Sequence, residues 1–212
     1  MTDIRTTGSI REPKTIPNHA LLFEIASEQG GYFTAEQART SGFSRALLSH
    51  HAKTGTYIRI RRGLYRFREY PSSAREEVIA AWLALGKDTA VVSHESALDI
   101  LGLGNIIPDA AHITVPRSRR HMSSWPGVKV HTTTRRMVKK DLWTRDGIIL
   151  TSPTRSILDV AEAGIAPEQI EIAVVQAINR GLVNARQLQI ESDNRGRRVA
   201  NLISGAIKQV KR

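Results

Sequence analysis

Cysteine is absent from the 212 residues, which removes disulfides, thiolate metal sites and cysteine nucleophiles together and is compatible with a reducing cytoplasm. No apolar run approaches the ~20 residues needed to cross a bilayer. Residues 1–14 are polar and lack the apolar stretch of a secretion signal, so a cytoplasmic location is expected. A third absence is more informative. Between Gln37 and Arg68 there is no Asp or Glu, against eight Lys and Arg. A surface that only needs to be soluble mixes both signs, so an acid-free basic run points to an anionic partner. The whole chain agrees, with a net charge of +11. With the membrane set aside, nucleic acid is the expected partner.

The residues within that run also specify a shape. Two short helices, 34–40 and 44–53, are joined by Ser41-Gly42-Phe43, and strands 56–61 and 64–67 meet at Arg62-Gly63. Helix, turn, helix and tight hairpin spell a winged helix-turn-helix. Thr34 with Gln37 three residues on forms a capping box, Ser44 caps the second helix, and Gly42 supplies the sharp turn. At 3.6 residues per turn, Leu47, Leu48 and His51 face the core. Arg45, Ser49, His50 and Lys53 face outward, with Ser44 at the helix start: the side-chain types that reach phosphates and base edges in a major groove. In the hairpin, strand alternation places Ile58 and Ile60 inward and Tyr57, Arg59 and Arg61 outward. Arg61 and Arg62 at the tip then lie along a phosphate backbone, and Arg59 and Arg66 complete the expected DNA-binding set. Winged helices also serve as protein-binding modules and charge runs are often only solvated faces; the absence of acids decides for DNA.

The remaining chain reads as α+β: an N-terminal winged helix-turn-helix followed by a mixed α/β C-terminal domain with late helices. Residues 1–17 read as a disordered tail and 18–87 as the winged domain. Its first helix runs over 18–29 with Leu21, Leu22 and Ile25 inward. A helix over 73–85, carrying Val78, Ile79, Trp82 and Leu85, closes that domain or bridges to the next. The charge changes sign there, with two basic and six acidic residues from Arg75 to Asp109. Residues 88–212 form the second domain. It contains a helix over 93–101, short β-branched strands at 112–115, 128–132 and 148–151, and a helix opened by Ser152-Pro153 and ended by Gly164. Helices at 167–179, 185–190 and 197–210 follow.

Four segments in order carry a resemblance: Gly31-Tyr32-Phe33-Thr34 leading to Ala38, the wing Ile60-Arg61-Arg62-Gly63-Leu64-Tyr65, Ser93-His94-Glu95-Ser96-Ala97-Leu98, and Thr151-Ser152-Pro153-Thr154-Arg155-Ser156-Ile157-Leu158-Asp159. Together they resemble the AbiEi family of antitoxins over nearly everything from about residue 18 on. The resemblance implies a winged domain that represses its own operon by binding inverted repeats in promoter DNA. It also implies a C-terminal domain that neutralises a nucleotidyltransferase-like toxin, by direct contact or without a stable complex.

Enzyme templates fail on the sequence. Pro108-Asp109 could open a metal-dependent nuclease motif, yet no Glu-x-Lys or Asp-x-Lys follows on the next strands. There is no Gly-rich phosphate loop and no Gly-x-Ser-x-Gly elbow. His112, His121 and His131 are too widely spaced for a short-range zinc pair, and His94-Glu95 reads as an interface pair, not a catalytic dyad. No catalytic residue, metal or cofactor is therefore expected. Arg117 to Arg145 holds nine Lys and Arg against the single acid Asp141, making Arg117, Arg119, Arg120, Arg135, Arg136, Lys139 and Lys140 a possible second basic surface. Trp125-Pro126-Gly127 within it reads as a turn with a packed indole. Residues 195–212 are again basic, with six Lys and Arg and no acid. The alternative function is a protein- or RNA-binding inhibitory module that touches DNA only incidentally.

Overall fold

The computed structural model describes residues 16–122 and 124–210; the expected tail lies outside them apart from Ile16 and Pro17. Helix α1 (His19–Ser27) begins where the Asn18 side chain accepts a hydrogen bond from Leu21 N at 2.9 Å. Leu22 and Ala26 are buried, whereas Leu21, expected inside, is exposed. The chain then forms β1 (Tyr32–Thr34), too short to show a period of two. Thr34 ends β1 and caps α2 (Ala35–Thr40): Gln37 N donates to Thr34 Oγ1 at 3.1 Å, and Thr34 N donates to Gln37 Oε1 at 2.8 Å. The turn to α3 (Arg45–Lys53) uses Gly42 at φ 86, where a side chain would meet the Ile16 carbonyl oxygen at 2.7 Å.

The hairpin β2 (Tyr57–Arg61) and β3 (Leu64–Phe67) completes a sheet ordered β1-β3-β2, antiparallel throughout. The expected alternation fails here. The register shifts between Arg59 and Arg61, Tyr57 is buried and Ile60 is exposed. Aromatic packing explains the inversion: Tyr57, Phe67 and Tyr65 surround Phe33 at centroid distances of 5.0, 5.3 and 5.8 Å. A buried ring removes more apolar area from water than an isoleucine does, and each ring pair adds ~0.5–1.5 kcal/mol.

Helix α4 (Glu76–Leu85) joins the two halves. It packs against β1 and β3 of the wing and against β4 (Val91–Val92) and β5 (Ala111–Pro116) of the larger sheet. Trp82 is buried and its indole N–H donates to the Ala90 carbonyl at 2.9 Å. The larger sheet has the order β6-β5-β4-β8-β7, with β6 (Val128–Thr133), β7 (Leu142–Arg145) and β8 (Ile148–Thr151). Pairs β5–β6 and β4–β8 are parallel and the other two antiparallel. Between β4 and β5 runs α5 (His94–Leu101), ended by Gly102 in the left-handed region. After β8, Ser152 and Pro153 start α6 (Pro153–Ala163) as expected. Then α7 (Pro167–Asn179), α8 (Ala185–Asp193) and α9 (Arg197–Val210) pack late in the chain, with α9 against α6, α7 and α8. Among the described residues no helix is long and apolar enough to cross a membrane.

Two buried side-chain polar atoms of the wing have no partner among the described residues, Arg66 Nε and the Tyr57 hydroxyl. The Tyr57 hydroxyl is enclosed without a hydrogen bond, and an unsatisfied buried polar group costs ~1–3 kcal/mol. Tyr57→Phe should therefore raise the unfolding free energy by about 1 kcal/mol in urea denaturation. A loss of stability of that size would show that the hydroxyl is satisfied in solution.

Candidate nucleic-acid interface

The interface is built on α3. Ser44 caps it, its hydroxyl accepting from Leu47 N at 3.1 Å. Leu48 anchors the inner face in the core, with Leu47 and half-buried His51 beside it. His51 is held among rings, 5.0 Å from Tyr57 and 5.5 Å from His19. Burial, then the neighbouring His19 and His50, lowers its pKa, so it stays neutral at physiological pH. Outward, Ser44, Arg45, Ser49, His50 and Lys53 are all exposed. No ion pair among the described residues uses Arg45 or Lys53. The recognition face is therefore cationic, hydroxyl-bearing and free of internal carboxylates.

The four arginines expected from the wing separate into three situations. Arg59 and Arg62 are exposed and carry no ion pair among the described residues. Arg61 is exposed too, but its guanidinium lies over the Trp125 ring, 3.8 Å from the centroid. It joins the wing to the turn before β6, so Trp125 is indeed packed, and packed by the wing. Arg66 is a correction. It is buried, donates to the carbonyls of Tyr70 and Pro71, and pairs with Glu76 on α4 at 2.8 Å. Its strand position faces α4, so it cannot reach a phosphate.

The second basic surface is likewise thinner than the charge count suggested. Arg119 donates to the Leu85 carbonyl at 2.8 Å, closing the end of α4. Arg135 pairs with Glu162 and Lys140 with Glu191. Arg117, Arg120, Arg136 and Lys139 remain exposed and outside those ion pairs. Arg195, at the start of the basic C-terminal stretch, has its side chain buried against Asp159 at 3.0 Å and also pairs with Glu162.

A second polar centre lies in the larger domain, where sequence spacing gave no warning. The parallel β5–β6 pairing brings His112 and His131 together, with Nε2 of His131 3.1 Å from Nδ1 of His112. His94, at φ 53 at the start of α5, stacks on His131 with centroids 3.6 Å apart. Burial, followed by the neighbouring His131, pushes His94 down to about 2 and His112 down to about 4. The three rings are therefore neutral at physiological pH. Beside them is a cavity of about 390 Å³ lined by His94, His131, Arg135, Arg155, Asp159 and Glu162. Its charges are already matched: Arg155 holds Asp159 at 2.7 Å, and Arg135 and Arg195 hold Glu162. The Thr-Ser-Pro-Thr-Arg-Ser-Ile-Leu-Asp segment thus uses its Arg and Asp to fix α6 internally.

The winged helix-turn-helix with its exposed, acid-free α3 face is an architecture that DNA-binding transcriptional regulators use. Residues 20–68 match the family described as "Transcriptional regulator, AbiEi antitoxin", a family of regulators and not of enzymes. Among solved structures, the chain is similar to the crystal structure of the RV2827C protein from Mycobacterium tuberculosis, at 13% identity and a TM-score of 0.57, covering 92% of this chain and 78% of that one. At that identity the likeness is one of fold. No curated protein matches.

The fate of Arg66 can be tested apart from folding. Glu76→Gln leaves a buried guanidinium without its counter-ion and should cost about 3 kcal/mol of stability. Arg66→Met should cost less, because Glu76 is the more exposed partner. In both variants the folded protein should bind DNA with parental affinity; a tenfold loss in folded Arg66→Met would return Arg66 to the interface.

Proposed function

We propose that this protein is an autoregulatory antitoxin of the AbiEi type: its winged domain binds promoter DNA of its own operon, and its C-terminal part antagonises a nucleotidyltransferase-like toxin. The observation that carries the DNA-binding half is the exposed α3 face of Ser44, Arg45, Ser49, His50 and Lys53 within a segment that has no acid from Gln37 to Arg68. In this reading Arg45 and Ser49 read base edges and Arg59 and Arg62 hold phosphates. A gene product that represses promoter DNA works in the cytoplasm, the compartment the cysteine-free composition is compatible with.

Binding to a fragment of its own promoter should weaken with salt at a log–log slope of about −4 to −5, the value for roughly five neutralised phosphates. Arg45→Ala should cost ~1–3 kcal/mol on the cognate site and relax the preference there. Replacing Arg59 and Arg62 should weaken cognate and random DNA alike. Salt-insensitive binding, or no footprint on the promoter, would end the DNA-binding reading; selective loss of the cognate site in the Arg59 and Arg62 variants would reverse the two roles.

The toxin-directed half rests on the family's description as an antitoxin, matched over residues 20–68, and on the cations of the C-terminal part that pair with no acid among the described residues. Arg120→Glu with Arg136→Glu should impair rescue of cells expressing the toxin while promoter repression persists. Full rescue by a folded double variant would remove this surface from the mechanism. Loss of rescue only when Arg45 or Arg62 is changed would place antitoxin action in the DNA-binding domain.

A further inference from the structure

Below the histidine stack the fold brings three ligand-type side chains to one point. Glu95 comes from the first turn of α5, Asp109 from the loop before β5, and His112 from β5 itself. Their donor atoms all lie within 4.8 Å of one another. His112 Nε2 stands 3.7 Å from Glu95 Oε1 and 3.8 Å from Asp109 Oδ1, beyond the reach of a hydrogen bond. His112 is 3% exposed, and its Nε2 is enclosed with no hydrogen-bond partner. A buried ring nitrogen directed at two carboxylates, bonded to neither, needs an explanation.

We propose that Glu95, Asp109 and His112 form a binding site for a first-row transition-metal dication, with zinc as the working case. Ligands ~2.0–2.2 Å from a tetrahedral ion stand roughly 3.3–3.6 Å from each other, so the two His112 separations of 3.7 and 3.8 Å close onto an ion with shifts of a few tenths of an ångström, and the two carboxylates, within 4.8 Å of each other, by rotation of the exposed Asp109 side chain. The other ring nitrogen supports the assignment. Nδ1 of His112 faces His131 Nε2 at 3.1 Å; when it donates there, the Nε2 lone pair points at the carboxylates, the orientation that outer-shell partners impose on metal-bound histidines. An imidazole in the set disfavours magnesium and calcium, which take oxygen ligands. Three protein ligands leave at least one position for water or for a group on a partner. Lys129 marks the open side: its ammonium holds exposed Asp109 at 2.9 and 3.1 Å and must yield that carboxylate to an ion.

The test uses the full chain, stripped with a chelator and titrated with Zn2+ by calorimetry, with metal content checked after dialysis. One Zn2+ per chain is expected. Glu95→Gln and His112→Gln should each weaken binding at least tenfold, and His131→Phe by roughly tenfold or more through loss of the supporting bond. Lys129→Met should tighten binding, because a competitor for Asp109 is gone; a protein that binds zinc adventitiously would not show that gain. His121→Gln, outside the cluster, should change nothing. Asp109 is the exposed member of the set, so folded Asp109→Asn, verified by circular dichroism and expected to weaken binding at least tenfold, keeps the test decisive even if Glu95→Gln or His112→Gln unfolds. Zn2+ bound equally well by Glu95→Gln, preference for Mg2+ over Zn2+, or no Zn2+ bound by the parent would overturn the proposal.

Discussion

Arg66 and Glu76 couple the last strand of the wing to the first turn of α4. A guanidinium taken out of water needs acceptors, and here Nη2 donates to two loop carbonyls and to a carboxylate on another element while Nη1 donates to the Phe67 carbonyl, with Nε left unpartnered. That requirement fixes β3, the 70–71 turn and α4 in a single relation. The far side of α4 is committed elsewhere, with Trp82, Leu83 and Leu85 in the core of the larger sheet. Tyr32 and Leu64 of the wing fall into the same hydrophobic cluster. Helix α3 is thus carried on a frame whose apolar contacts run on into the C-terminal half, and its orientation depends on packing remote from its exposed face.

How much of this could be read from the chain depended on whether the signal was local. The capping pairs Thr34–Gln37 and Ser44, and the Ser152-Pro153 start, act within four residues, so the helices they open stand where the residues place them. Strands β1 and β4 span three and two residues, too few for alternation to show, and β7 is an exposed edge with no apolar face to betray it. The hairpin gave a clear period, but the wrong one: the bulge at Arg59–Arg61 and the demand of Phe33 for aromatic neighbours turned Tyr57 inward. Arg66 looked like its wing neighbours because composition does not reveal which face of a strand another helix will cover. The His94, His112 and His131 stack, and the carboxylates beneath it, needed the parallel register of β5 and β6, a long-range pairing that no local spacing encodes.

The same distinction governs the charges. In the 37–68 run, Arg39 pairs with Glu36 just before it and Arg66 with Glu76 just after it, and Arg45, Lys53, Arg59 and Arg62 enter no ion pair among the described residues. In the 117–145 stretch the count overstated the free surface, since the partners of Arg135 and Lys140 sit on α6 and α8, outside the counted window. Arg119 spends its charge on a helix C-terminus, where the exposed carbonyls of α4 favour a cation. Net charge therefore narrows the class of partner to expect and is a poor guide to which residues are free to meet it.

The stacking of Arg61 on Trp125 makes the wing tip a shared resource. One guanidinium cannot lie flat on an indole and along a phosphate at the same time, so any complex that recruits Arg61 to nucleic acid gives up a contact of ~0.5–1 kcal/mol, a factor of roughly two to five in affinity. Linkage makes that cost reciprocal. Whatever covers the Trp125 turn from outside frees the arginine for DNA, and DNA that captures the arginine bares the indole. Occupancy of the two halves of the molecule is then thermodynamically tied through a single side chain, with no change of fold required.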